Sequence, residues 1–361
     1  MAESKMSLAE MLEASSIRDR KKESRISENC MRTKQGVYPI KIIDILVALA
    51  MATVAVLVPW EELRQFEFID RANYLHYFKY GENILEYTKL AHWYSYLTNE
   101  VLWHISIPYL IDQLNIAPIF VFNTISFITV FTFTLFVARY SNLYAVLLLV
   151  NPLLVTLAFD QMRSALAYCL LLWAYMLPRK LLILSLAMIL VAPLVHTASV
   201  LFALLFAGIL SLRLLHTRRV FNTTAVVLIL LGTGFLMSLS FGQLMQQVLD
   251  AVGDRRADRV VNDASSGIKY TLFWIFMLIV CLVQSKDYYR NISCQYSLII
   301  LSFVCFNLIF GGYSLRFLAT GLPVLVVAMY ELKSLHRALV IAAFVPYAVL
   351  QWYYWYHVGN V

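Results

Sequence analysis

The few charged side chains of this 361-residue chain are so unevenly placed that most of it can only be built from apolar helices. Of its 51 Lys, Arg, Asp and Glu residues, 34 fall in 1–41, 59–100 and 239–269, and the remaining 247 residues share 17. A membrane-spanning helix takes about 20 apolar residues, so the bare region has room for about eleven or twelve. The whole chain is 61% hydrophobic and 14% charged, against roughly 45–50% and 25% for a soluble domain. An ordinary water-soluble enzyme is excluded, and the fold class expected is an all-α polytopic membrane protein.

Residues 1–39 carry nearly all of the first charged block and have no apolar run, so they read as a disordered cytoplasmic tail instead of a signal peptide. The membrane domain is then 40–361. Apolar runs bounded by charges, Pro or Gly predict spans near 40–58, 118–138, 143–160, 163–178, 180–196, 197–212, 220–238, 270–285, 293–311, 315–331 and 338–356. The segment 101–115 is apolar but short, is broken by Pro108 and carries His104 and Asp112. If it does not cross, the positive-inside rule collects 19 Lys and Arg on the cytoplasmic side and 10 outside; if it crosses, the split is 15 to 14. The first arrangement predicts about eleven transmembrane helices plus one interfacial or re-entrant helix. The amino terminus is inside, and 59–116 and 239–269 are external.

Five cysteines without CxxC spacing predict neither a disulfide nor a metal site. No cofactor, metal or nucleic-acid partner is expected.

On this topology Arg163 and Arg316 stand alone at the outer starts of apolar helices, where arginine is costly. Free N–H groups and the helix dipole already favour anions there, and a guanidinium suits phosphate oxygens. The bland alternatives are snorkelling to lipid headgroups or, for Arg163, a pair with Asp160. His196, at an outer turn, is either a packing residue or a proton acceptor. The 59–100 loop is rich in aromatics, among them Trp60, Phe68, Tyr74, Tyr77, Tyr87, Trp93 and Tyr96. These fit an interfacial girdle or a carbohydrate platform equally well. In 239–269, Asp254 with Asp258 and Arg255 with Arg259 repeat at helical spacing, as in a solvated helix laced with ion pairs or a lid.

The ordered motifs resemble the EpsG family of bacterial polysaccharide polymerases, related in function to Wzy-type O-antigen polymerases. They are Asp70 with Tyr74 four residues later, Glu100 heading an apolar half-helix, Asp160-Gln161-Met162-Arg163-Ser164-Ala165-Leu166-Ala167, His196-Thr197-Ala198-Ser199, and Arg316-Phe317. Two departures are Val101 in place of the usual Pro, and Asp160 in place of a neutral polar residue. The resemblance implies a GT-C-like, metal-independent glycosyltransferase of the inner membrane, working on its outer face. It would move a growing glycan from undecaprenyl diphosphate to the non-reducing end of a lipid-linked repeat unit, with a chain-length regulator as a further partner. It also implies roles: Arg163 and Arg316 for the diphosphate, Asp70 and His196 as the catalytic pair, and Tyr74 and Glu100 for the sugar. Glu100 is an alternative to Asp70 as base. Competing functions are a lipid-linked oligosaccharide transporter or flippase and an O-antigen ligase.

Overall fold

The computed structural model describes residues 39–80, 99–217, 222–240, 268–310 and 314–357. The expected tail, the charged helix or lid of 239–269 (beyond 240 and up to 267), and Tyr87, Trp93 and Tyr96 lie outside the described residues. Of two compact units, Met1–Lys41 and Ile42–Val361, the second holds all the elements below.

Every described element is helical. In order they are α1 Ile42–Leu57, α2 Trp60–Leu63, α3 Ile69–Tyr80, α4 Val101–Pro108 continued by a π turn, Tyr109–Gln113, and α5 Pro118–Tyr140. A 3-10 helix, Leu143–Leu149, precedes α6 Pro152–Phe159, α7 Met162–Met176 and α8 Leu182–Val195. Then come α9 Ser199–Thr217, α10 Thr223–Leu239, α11 Ile268–Leu282, α12 Ile292–Phe310, α13 Ser314–Tyr330 and α14 Ser334–His357.

Each expected span is thus helical, but 143–160 is not one helix. Pro152 lacks the N–H that would continue the preceding turn. Asn151, buried, accepts the Leu153 N–H at 2.9 Å and starts a new helix instead. By length and composition α5, α12 and α14 are long and apolar enough to cross a membrane, while α1, α7, α8, α9, α10, α11 and α13 are shorter apolar helices.

Several polar groups inside these helices are satisfied locally. Ser126, Thr129, Ser185, Thr233 and Thr320 all bond to the carbonyl four residues back, as apolar surroundings require. The interior is formed by α5, α12 and α13, every residue of α12 from Ile292 to Val304 being buried. Outer helices present leucine and isoleucine instead: Ile183 is 86% exposed, Leu190 72% and Leu228 63%. A surface this apolar has no stable place in water, and the protein is a membrane protein.

Side-chain bonds establish which helix ends lie together. Arg71 of α3 bonds Asn123 near the start of α5, and Trp60, just after α1, stacks on Trp352 near the end of α14. The chain therefore leaves α1 and enters α5 at the same end of the bundle, with α2, α3 and α4 gathered there. At the opposite end Arg139 caps the last carbonyl of α7, Met176, at 2.8 Å and Arg337 caps that of α13, Tyr330, at 3.0 Å.

Candidate functional site

The site grows from a helix that cannot cap itself. In α3 the cap position is Phe68, whose carbonyl accepts the first helical bond from Ala72 at 2.8 Å. Its side chain has no polar atom and instead packs against Phe159 and Trp355. That packing brings the end of α6 against the start of α3. Asp160 then accepts the Asp70 N–H at 2.8 Å, and the Arg71 N–H as well. A carboxylate 90 residues downstream supplies the missing cap.

Asp160 holds its proton unusually well, its pKa pushed up to about 6. Burial is the main cause and the nearby Asp70 carboxylate the next, opposed by the two backbone N–H donors and Arg64. Arg64, only 8% exposed, is packed over Phe68 and Trp355. Arg71, 4% exposed, pairs with Glu61 at 2.8 Å and bonds Asn123 at 3.1 Å.

One turn further along α3, Tyr74 is buried against Trp103 of α4 and Phe122 of α5. The Arg163 guanidinium lies over its ring, 5.3 Å from the centroid, and the two side chains also hydrogen-bond. Burial raises the pKa of the Tyr74 phenol, so it stays protonated.

Glu100 is the centre of the arrangement. It precedes α4 in the left-handed conformation, φ 53° and ψ 46°, which costs a non-glycine residue roughly 1–2 kcal/mol. The conformation delivers a carboxylate that is 2% exposed to three donors from distant helices. Oε2 accepts from Arg163 at the start of α7. Oε1 accepts from the Thr197 N–H at 3.2 Å and meets His196 Nδ1 at 2.6 Å. A carboxylate only accepts, so Nδ1 carries the hydrogen, and in the neutral ring Nε2 is then the acceptor nitrogen. His196 itself sits on the C-cap of α8, its N–H bonded to the Ala192 carbonyl.

Of the six residues expected from sequence, Asp70, Tyr74, Glu100, Arg163 and His196 converge here. Arg163 does not pair with Asp160, the alternative raised by their spacing; Asp160 is turned to α3, and Glu100 takes the arginine. Both oxygens of Glu100 are engaged, so it orients its neighbours and is poorly suited to the role of base. Arg316 starts a different helix, α13, at the same end. Phe317 touches Phe202 of α9, which touches Tyr168 of α7, with centroids 5.2 and 5.3 Å apart. Its helix start is fixed by a buried chain in which Ser238 donates to Asn307 and Asn307 donates to Ser314. The Arg316 side chain is exposed.

Sequence reasoning missed Arg64, Arg71 and Asn123. The first two sat in a charged loop like any other, and only their burial distinguishes them. Among the described residues no group of three or more His, Cys, Asp or Glu could hold a metal ion.

The model of the EpsG family matches residues 48–360, which takes in the whole of this site. No curated protein and no solved structure matches the chain.

Proposed function

Because the chain belongs to the EpsG family, whose members have a membrane polysaccharide-polymerase-like role, we propose that it is a lipid-diphosphate-sugar-dependent glycosyltransferase. It extends polysaccharide at the outer face of the bacterial inner membrane, with its amino terminus cytoplasmic and eleven helices crossing. The donor is a glycan on undecaprenyl diphosphate, and the acceptor is the non-reducing end of the next lipid-linked repeat unit.

The observation that carries this reading is the Glu100–Arg163–His196 cluster, which puts a cation and an oriented imidazole side by side at one end of an apolar bundle. Glycosyl transfer at a lipid diphosphate needs both. An acceptor hydroxyl oxygen forms a bond to the anomeric carbon, the bond from that carbon to the phosphate oxygen breaks, and the diphosphate leaves with the electron pair. Arg163 and Arg316 stabilise the charge developing on the leaving group. The hydroxyl proton passes to His196 Nε2, which Glu100 holds in the correct tautomer, or to Asp70. Tyr74 shapes the sugar site from below Arg163.

The test is Arg163→Ala and Arg316→Ala, each with insertion checked by immunoblot of membranes. Removing one charge-stabilising donor costs about 10²–10³ in rate, so cells should display single repeat units in place of a polymer ladder. A normal ladder from either variant removes the diphosphate role from that arginine.

A further inference from the structure

We propose that Asp160 is a positioning residue for the transfer site: from the α6–α7 turn it holds the start of α3, and so sets where Asp70 and Tyr74 stand relative to Glu100, Arg163 and His196. This rests on the reading of those residues as a glycosyltransferase site.

Three features of the geometry point to it. First, α3 has no cap of its own, because its cap position is Phe68, and the Asp70 and Arg71 N–H groups both turn to Asp160. Second, Asp160 is three residues from Arg163 in the chain, so one short turn carries both the clamp on α3 and the cation that lies over Tyr74. A shift of that turn therefore moves the arginine and the tyrosine face together. Third, the contact is reinforced from outside α3: Phe68 and Phe159 are stacked, Trp355 of α14 packs on Phe68, and Arg64 is packed over the Phe68 and Trp355 rings.

The clamp is also sensitive to pH. Asp160 faces the Asp70 carboxylate on α3 and Arg64 from the segment before it; beyond them are the Glu61–Arg71 pair from α2 and α3 and the Arg163–Glu100–His196 group from α7, α4 and the α8–α9 turn. α14 contributes the Trp355 ring at this point. The carboxyl is released from its proton near pH 6, above its unfolded value of about 3.9. Its contribution to stability is therefore complete below that unfolded value and is lost as pH rises through about 6. The acceptor strength toward the α3 N–H groups runs the other way, being greatest when Asp160 is ionised.

The experiment is hydrogen exchange of the full chain in lipid nanodiscs, read on peptides covering residues 66–78 and corrected for the intrinsic rate. It is paired with polymer formation from lipid-linked repeat units. Asp160→Ala should lower α3 protection at least tenfold at pH 7.5 while α12 stays protected, and polymer should fall at least tenfold. Asp160→Asn keeps an oxygen acceptor and should restore at least half of both. Unchanged α3 protection in Asp160→Ala, or loss spread equally over all helices, would overturn the assignment. Wild-type protein that makes no polymer at any pH, with the exchange pattern intact, would count against the polymerase reading and not against the clamp.

Discussion

Glu100 shows how much one side chain can organise when its backbone is bent to deliver it. The left-handed conformation is unfavourable for glutamate, and it persists because Arg163, His196 and the Thr197 N–H all converge on the buried carboxylate. Removing one partner of a buried pair costs about 3–5 kcal/mol, since the other charge is left without compensation. Glu100→Ala should therefore lower the thermal unfolding midpoint of the detergent-solubilised protein clearly and abolish polymer. Glu100→Gln, which keeps an acceptor and the shape, should unfold closer to wild type yet still lose most polymer, because Arg163 is no longer held in place by an ion pair and the His196 tautomer is no longer enforced. Equal activity of Glu100→Gln and wild type would show that the charge of Glu100 has no part in the chemistry. At this scale the motif order in the sequence already named five of the residues that meet. It could not reveal that Glu100 is the hub, because residues 100, 163 and 196 are joined only by the packing of three helices.

Among the helices, close approach decides more than apolarity. A Cβ on Gly234 of α10 would stand 2.6 Å from the Ile299 carbonyl oxygen and 2.8 Å from the Phe303 N of α12, both backbone atoms that cannot step aside. Gly232, two residues earlier and so on the opposite face of the helix, would meet nothing within 4 Å. Gly234→Ala should destabilise the protein by about 1–3 kcal/mol through overpacking. Gly232→Ala should be neutral or stabilising by up to about 1 kcal/mol, as expected for glycine in a helix. Thermal unfolding of the two variants side by side checks the pair, and similar midpoints would mean that α10 and α12 are not held in such close contact. Composition reads both glycines alike. The break at Asn151–Pro152 was visible in principle, since Asn followed by Pro is a helix start, but the continuous apolar run over 143–160 concealed it.

Across the whole molecule, the loops bring the functional residues to one end and leave helix-capping arginines at the other. Arg139 and Arg337, which the positive-inside count put in the cytoplasm, close the ends of α7 and α13 by bonding their last carbonyls. If the site end is external, a membrane-impermeant maleimide added to intact spheroplasts should label Glu67→Cys and leave Ser141→Cys and Ser285→Cys untouched until the cells are opened. External labelling at Ser141 or Ser285 would refute the eleven-span arrangement. Of the described native cysteines, Cys169, Cys281 and Cys294 are buried and Cys305 is half-buried, so a Cys305→Ala background serves for the labelling.

Apolar run length and the scarcity of charge made the helical membrane character of the chain legible from sequence alone, because a helix in lipid must satisfy its backbone within itself and shows this as a bare stretch of sequence. The segment 101–115 was also recognisable as the piece that did not fit a simple span. Only the tertiary structure decided which charges meet: Asp160 with α3 and not with Arg163, Arg64 and Arg71 buried in place of solvated, and Glu100 at the centre. Hydrophobic periodicity specifies which face of a helix is buried, whereas the pairing of polar groups depends on the rotation and offset of several helices at once, and no local pattern encodes those.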